Sequence, residues 1–140
     1  MAEPKKHLPL TNATVIEFYE RTFAPWVKGL GMCEFSVSDG HASARLPQNP
    51  ALNFSSGAVC GQAIMSAIDV VVSLAMFTTE RPTKGTVYQH THFLRPALND
   101  DFHVQATVLR FGKATAFAEA RVTAMSSGEL VAHATAEFAF

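Results

Sequence analysis

AVCGQAIMSAIDVVVSLAMF, residues 58–77, decides how the rest of the chain is read. A run of ~20 residues is long enough to cross a bilayer. Gly61, Gln62, Ser66, Asp69 and Ser73 interrupt this one, however, and it lacks the basic flanks and aromatic belts of a spanning helix. The stretch therefore predicts a helix buried in a protein core, with no membrane partner. Upstream, residues 47–57 are rich in Pro, Asn and Ser and read as a loop. Before it, residues 31–38 and 41–46 read as two short strands about Asp39-Gly40, a dipeptide that supplies the positive φ of a tight hairpin. Thr14 and Glu17 have capping-box spacing, and Val15, Phe18, Tyr19 and Phe23 recur at helical intervals, so a first helix is expected to run to Ala24-Pro25. Residues 1–11 read as a loose tail, without the apolar segment of a signal peptide and with Glu3 against a transit peptide.

Downstream of Pro82 the periodicity changes to two. Residues 85–94, 101–110, 113–125 and 129–140 read as four consecutive strands of an antiparallel meander, broken at Arg95-Pro96, Phe111-Gly112 and Ser126-Ser127-Gly128. One face of the last two carries Ala114, Ala116, Ala118, Ala120, Val122 and Ala124, then Ala132, Ala134, Ala136 and Phe138. Alanine is a poor strand former, so a stripe this long needs a packing reason. Small side chains let a helix lie close against a curved sheet. The expected class is α+β, a long central helix wrapped by a curved antiparallel sheet, in one domain of 140 residues.

Composition narrows the function. With 48% hydrophobic and 16% charged residues the chain folds around a core and is not disordered. A net charge of -1, with no basic run beyond Lys5-Lys6, leaves no electrostatic footprint for nucleic acid. Two cysteines, Cys33 and Cys60, are too few for a disulfide scaffold and fit a reducing, cytoplasmic setting.

Asp69 is the only charged side chain between Arg45 and Glu80, and it sits mid-helix among Ile68, Val70, Val71 and Val72. A carboxylate there is either tied into a structural hydrogen-bond network or faces a cleft where a perturbed pKa is useful. At the head of the same helix, Gly57 and Gly61 are either turn and close-contact glycines or part of an oxyanion hole, where free helix N–H groups meet a carbonyl oxygen. Gly61 and Asp69 lie eight residues apart, roughly 12 Å along a helix, too far to serve one carbon from the same helix. In a two-fold dimer with antiparallel helices, Gly61 of one chain faces Asp69 of the other, giving composite sites.

These residues resemble the PaaI-type hotdog-fold thioesterases, relatives of the 4-hydroxybenzoyl-CoA thioesterases, from about Gly31 onward. The family's Asn, small loop, His-Gly-Gly and acidic residue nine positions after the His correspond to Asn53, Gly57, Cys60-Gly61-Gln62 and Asp69. Phe93-Leu94-Arg95-Pro96-Ala97, the Phe111-Gly112-Lys113 turn and residues 128–135, GELVAHAT, follow in the family's order. The resemblance implies hydrolysis of an acyl-CoA-type thioester by a homodimer or dimer of dimers, with no metal and no cofactor. It gives Gly61 N–H as carbonyl clamp, the partner's Asp69 as general base or nucleophile, Asn53 as orienter and Thr86 as its helper. Gln62 is the substitute if Asn53, one residue further upstream than usual, is not the equivalent. Arg95, Gly112 and Lys113 are candidates for the coenzyme's phosphates, and Cys60 borders the acyl group or water.

Cys60 stands where the family has His and Gln62 where it has Gly, which leaves room for an alternative: a binding protein of the same fold without turnover. A dehydratase on hydroxyacyl thioesters is disfavoured, since that chemistry wants a catalytic His. His90 and His92, with His103 on a neighbouring strand, read either as a metal constellation or as solvent-facing sheet positions. A thiol at a helix N-terminus is a possible nucleophile. Full turnover in a Cys60→Ser variant, measured as thiol release, is the expected result and removes that route.

Overall fold

The computed structural model describes residues 8–140. Helix α1 (Val15–Thr22) and the four-residue α2 (Pro25–Lys28) precede a hairpin of β1 (Cys33–Ser38) and β2 (His41–Leu46). A 3-10 turn at Pro50–Leu52 leads to the long helix α3 (Gly61–Met76), followed by β3 (Gly85–Phe93), β4 (Phe102–Phe111), β5 (Thr115–Ala124) and β6 (Leu130–Ala139). The strands form one antiparallel sheet in the order β1-β2-β4-β5-β6-β3.

The sheet wraps α3. Isoleucine and valine are indifferent helix formers, but burial against a sheet outweighs that preference. Every residue from Val70 to Met76 is buried, and the accessible positions in the first half are Gly61, Gln62, Met65, Ser66 and Asp69, one face of the helix. The helix starts later than residue 58. Cys60 is its extended N-cap, while Ala58 and Val59 form bridges with Leu98 and Asn53.

Ala114 falls in the turn before β5 and is exposed, but the rest of the alanine stripe has the packing reason expected of it. Ala116, Ala118 and Ala120 of β5 and Ala132, Ala134 and Ala136 of β6 are at most 2% exposed on the concave face, and α3 lies against β2, β4 and β5. The hairpin at Asp39-Gly40 also forms. Gly40 takes φ 71°, and its N–H donates to Thr78 Oγ1 at 2.9 Å, tying the hairpin to the end of α3.

Three expectations are corrected. The meander holds for β4, β5 and β6, but β3 does not sit beside β4: it pairs with β6 at the sheet's edge. Consecutive strands only tend to be neighbours, and here residues 94–101 form a bound connection. Leu94 N–H donates to Val131 O at 2.9 Å, and Val59 N–H donates to Ala97 O at 2.9 Å, which carries the chain across the head of α3. Second, the tail is not loose throughout: Leu10 is buried, and its N–H donates to Phe77 O at 3.0 Å. Residues 1–7 of that expectation lie outside the described residues. Third, Thr14 makes no capping box. Its hydroxyl accepts from Thr11 N–H at 3.0 Å instead.

Replacing Ala120 by Leu drives a larger side chain into the sheet face under α3. The expected cost is about 1–3 kcal/mol, read as a lower urea midpoint at unchanged slope.

Candidate active site

Three contacts join α3 to the inner face of β3. Phe93 lies against Gly61, where an added Cβ would stand 3.2 Å from Phe93 Cζ. Gln89 Nε2 donates to Met65 O at 3.3 Å, and Thr86 Oγ1 donates to Asp69 Oδ1 at 3.0 Å. Residues 61, 65 and 69 are successive turns of one helix face. On the strand, Thr86 and Gln89 differ in parity and would face opposite sides of a regular strand. The register shift between Thr86 and Tyr88 inserts an extra residue, and Thr86 pairs with the inward-facing Phe138. The bulge therefore turns Thr86 towards Asp69.

The bond from Thr86 is the only one the Asp69 carboxylate makes among the described residues. Burial pushes the Asp69 carboxyl above the ordinary carboxylate range, and the Thr86 hydroxyl pulls it part of the way back. The scaffold does not saturate the group: it opens on a cleft of about 220 Å³ bordered by Phe23, Trp26, Val27 and Met65. A partly desolvated carboxylate with a free oxygen is a stronger base than one in water.

A second cleft, of about 690 Å³, surrounds the first turn of α3 and is lined by Phe54, Val59, Gly61, Gln62, Met65 and Phe93, with Arg95 at its rim. The N–H groups of Gly61 and Gln62 have no acceptor among the described residues, as the first turn of a helix dictates. Two free donors at the positive end of a helix, in an apolar cleft, suit an oxygen that gains negative charge. Met65 borders both clefts.

The other sequence candidates are distributed unevenly. The Cys60 N–H is used, donating to Leu52 O at 2.8 Å, and its side chain makes no cap. Asn53 is held next to the helix start by its bridge with Val59. Arg95 Nη1 already pairs with Glu129 Oε1 at 3.0 Å, so a phosphate would compete for it. The Gly112-Lys113 turn lies beyond the other end of α3, where Arg81 donates to both of its carbonyls, at 2.8 and 3.0 Å. Within one protomer it does not reach the Gly61 cleft. His90 and His92 share the outer face of β3 as expected, but His103 is not on the neighbouring strand: β6 and β5 separate β3 from His103 on β4. Among the described residues no three His, Cys, Asp or Glu side chains could hold a metal ion. Sequence reasoning missed Phe23, Trp26 and Val27. The one cue to them is the lone Trp directly after Ala24-Pro25, which has no periodicity to place it at a site.

The profile of the thioesterase superfamily matches residues 56–131, from the loop before α3 into β6. The chain belongs to that superfamily. Among solved structures, a conserved protein of Pseudomonas aeruginosa shares 27% identity at a TM-score of 0.78, over 86% of this chain and 96% of its own. The E. coli PaaI protein from the phenylacetic acid degradation operon shares 19% at 0.81, over 91% of this chain and 90% of its own, and gives the hotdog fold. A hypothetical thioesterase of Streptococcus pneumoniae, solved with coenzyme A, shares 18% at 0.71, over 76% and 83%. A search of the curated proteins finds no match. In this superfamily member, as in PaaI, the sheet wraps one long helix, and no helix is long and apolar enough to cross a membrane among the described residues.

The carboxyl of Asp69 titrates higher in the folded chain than in the unfolded one, so the folded state favours its protonated form. That contribution is fully present below the unfolded pKa, about 3.9, and is lost as pH rises through the raised value. Asp69→Asn is therefore expected to match or exceed the parent in stability at pH 7, the gap closing on acidification. Thr86→Val removes the bond that lowers this pKa, so the Asp69 carboxyl midpoint, followed by NMR titration, is expected to move up.

Proposed function

We propose that the protein hydrolyses acyl-CoA-type thioesters at composite sites in a homodimer. The observation that carries this reading is the half-buried Asp69, held by one hydrogen bond from Thr86 and open to a cleft, on the helix whose first turn offers free N–H groups. Superfamily membership supports the reaction class. The solved relative with coenzyme A supports a coenzyme A thioester as substrate.

The dimer follows from distance and from an unfinished edge. Along α3, Gly61 and Asp69 are separated by roughly 12 Å of rise, so a carbonyl held at one is out of reach of the other. Strand β3 ends the sheet with its outer edge unpaired among the described residues, and Val87, Tyr88 and Phe93, with Leu94 just beyond, are at least 44% exposed. An exposed apolar edge invites another strand, and a second β3 is the partner a two-fold axis supplies. Antiparallel helices then set Gly61 of one protomer facing Asp69 of the other.

In this arrangement the thioester oxygen accepts from Gly61 N–H. The free oxygen of Asp69 takes a proton from water as the water oxygen bonds to the carbonyl carbon. Collapse of the tetrahedral intermediate breaks the carbon–sulfur bond, and the thiolate leaves with the proton Asp69 took up. Asp69 can instead attack the carbon itself, breaking the carbon–sulfur bond, expelling the thiolate and forming a mixed anhydride that water then hydrolyses to the acid and free Asp69. Label found in Asp69 after a single turnover in labelled water identifies the anhydride route, because it enters there only when water attacks the Asp69 carbonyl of the anhydride.

A panel of acyl-CoAs with free thiol followed is the direct test. Thiol release that falls by about 10²–10⁴-fold in Asp69→Asn is the expected result. Tight binding of acyl-CoA without release supports instead the non-catalytic binding protein. A monomer in sedimentation that retains full turnover would sink the composite site.

A further inference from the structure

Helix α2 is a short element fixed with unusual care. Tyr19 is buried with its ring 4.6 Å from that of Phe35, and its hydroxyl donates to Val27 O at 3.5 Å. Lys28 Nζ donates to Glu20 O at 2.9 Å, and Leu30 just beyond is buried. The side chain this anchoring presents, Trp26, is nevertheless 67% exposed. With Phe23, Val27, Met65 and Gln89 it lines the Asp69 cleft. A large aromatic held by a fixed backbone and left bare beside a reactive carboxylate is suited to contact a bound group.

Charge in the cleft is one-sided. Among the described residues, Asp69 is the only ionisable side chain lining it, and no Lys, Arg or His borders it. Both amide hydrogens of Gln89 are engaged, one by Met65 O at 3.3 Å and one by Thr91 Oγ1 at 3.0 Å. A second carboxylate on the acyl group would enter without a cation, next to Asp69, at the cost of its hydration.

We propose that Trp26 is a specificity-determining residue: it forms the outer wall of the acyl groove beside Asp69 and selects uncharged, apolar acyl groups over those bearing a second carboxylate. This rests on the thioesterase reading above. The acyl group occupies the cleft of the protomer that supplies Asp69, while the carbonyl is held by the other protomer's Gly61.

The test compares hexanoyl-, succinyl- and acetyl-CoA with the parent, Trp26→Ala and Trp26→Phe. Parent kcat/KM is expected to favour hexanoyl over succinyl by at least about tenfold. Trp26→Ala is expected to lose roughly tenfold on hexanoyl-CoA with acetyl-CoA unchanged, because loss of one buried apolar contact surface is felt only by acyl groups that reach it. Trp26→Phe restores most of it. Equal losses on acetyl- and hexanoyl-CoA would mean a merely structural role, and no loss or no preference against succinyl would equally overturn the proposal. Trp26 is the only tryptophan of the chain, so binding has its own readout. S-hexyl-CoA, a thioether that cannot be hydrolysed, is expected to change the intrinsic fluorescence more than coenzyme A does. That change without any thioester turnover would defeat the hydrolase reading and leave the groove standing. Turnover with no fluorescence difference would do the reverse.

Discussion

The close approach of α3 to the concave sheet is the constraint on which everything else depends. It is possible because β5 and β6 present methyl groups where most sheets present larger side chains. Dense interiors leave no slack for such a contact, so the helix sits at a height set by alanine. That height brings Asp69 within one hydrogen bond of Thr86 on the edge strand and lays Phe93 on Gly61. A sheet lined with leucine would lift the helix and part both pairs.

The site then follows from solvation. The C-terminal half of α3 is sealed, and its N-terminal half keeps one wet face. Along that face the helix offers hydrogen-bond donors at its head and a carboxylate two turns later. Burial raises the carboxyl and Thr86 moderates the rise, so its basicity is set by two opposing neighbours.

Much of this was legible in the chain. The apolar run with Asp69 as its single charge, the Asp39-Gly40 turn and the alanine alternation are each sequence patterns that the tertiary structure respects. Strand order was not legible, because period-two patterning says which side chains face inward and nothing about which strand is the neighbour. The bulge at Thr86 was hidden for a related reason: one extra residue changes the facing of a side chain without changing composition. Thr86 was reached through family resemblance, and its hydroxyl is found on Asp69. Trp26 escaped because a single aromatic in a loop-like segment has no period to read. Thr14 misled because its hydroxyl had a competing local partner in Thr11.

The placement of β3 also bears on how the chain behaves while it is alone. The strand is nine residues long, carries no proline or lysine, and shows bare apolar side chains along an unsatisfied backbone. Proteins ordinarily guard such a border with charge or a break in pairing, and here the bulge at one end is the main safeguard. At high concentration that border is a liability: an extended segment that reaches it can add to the sheet and seed precipitation.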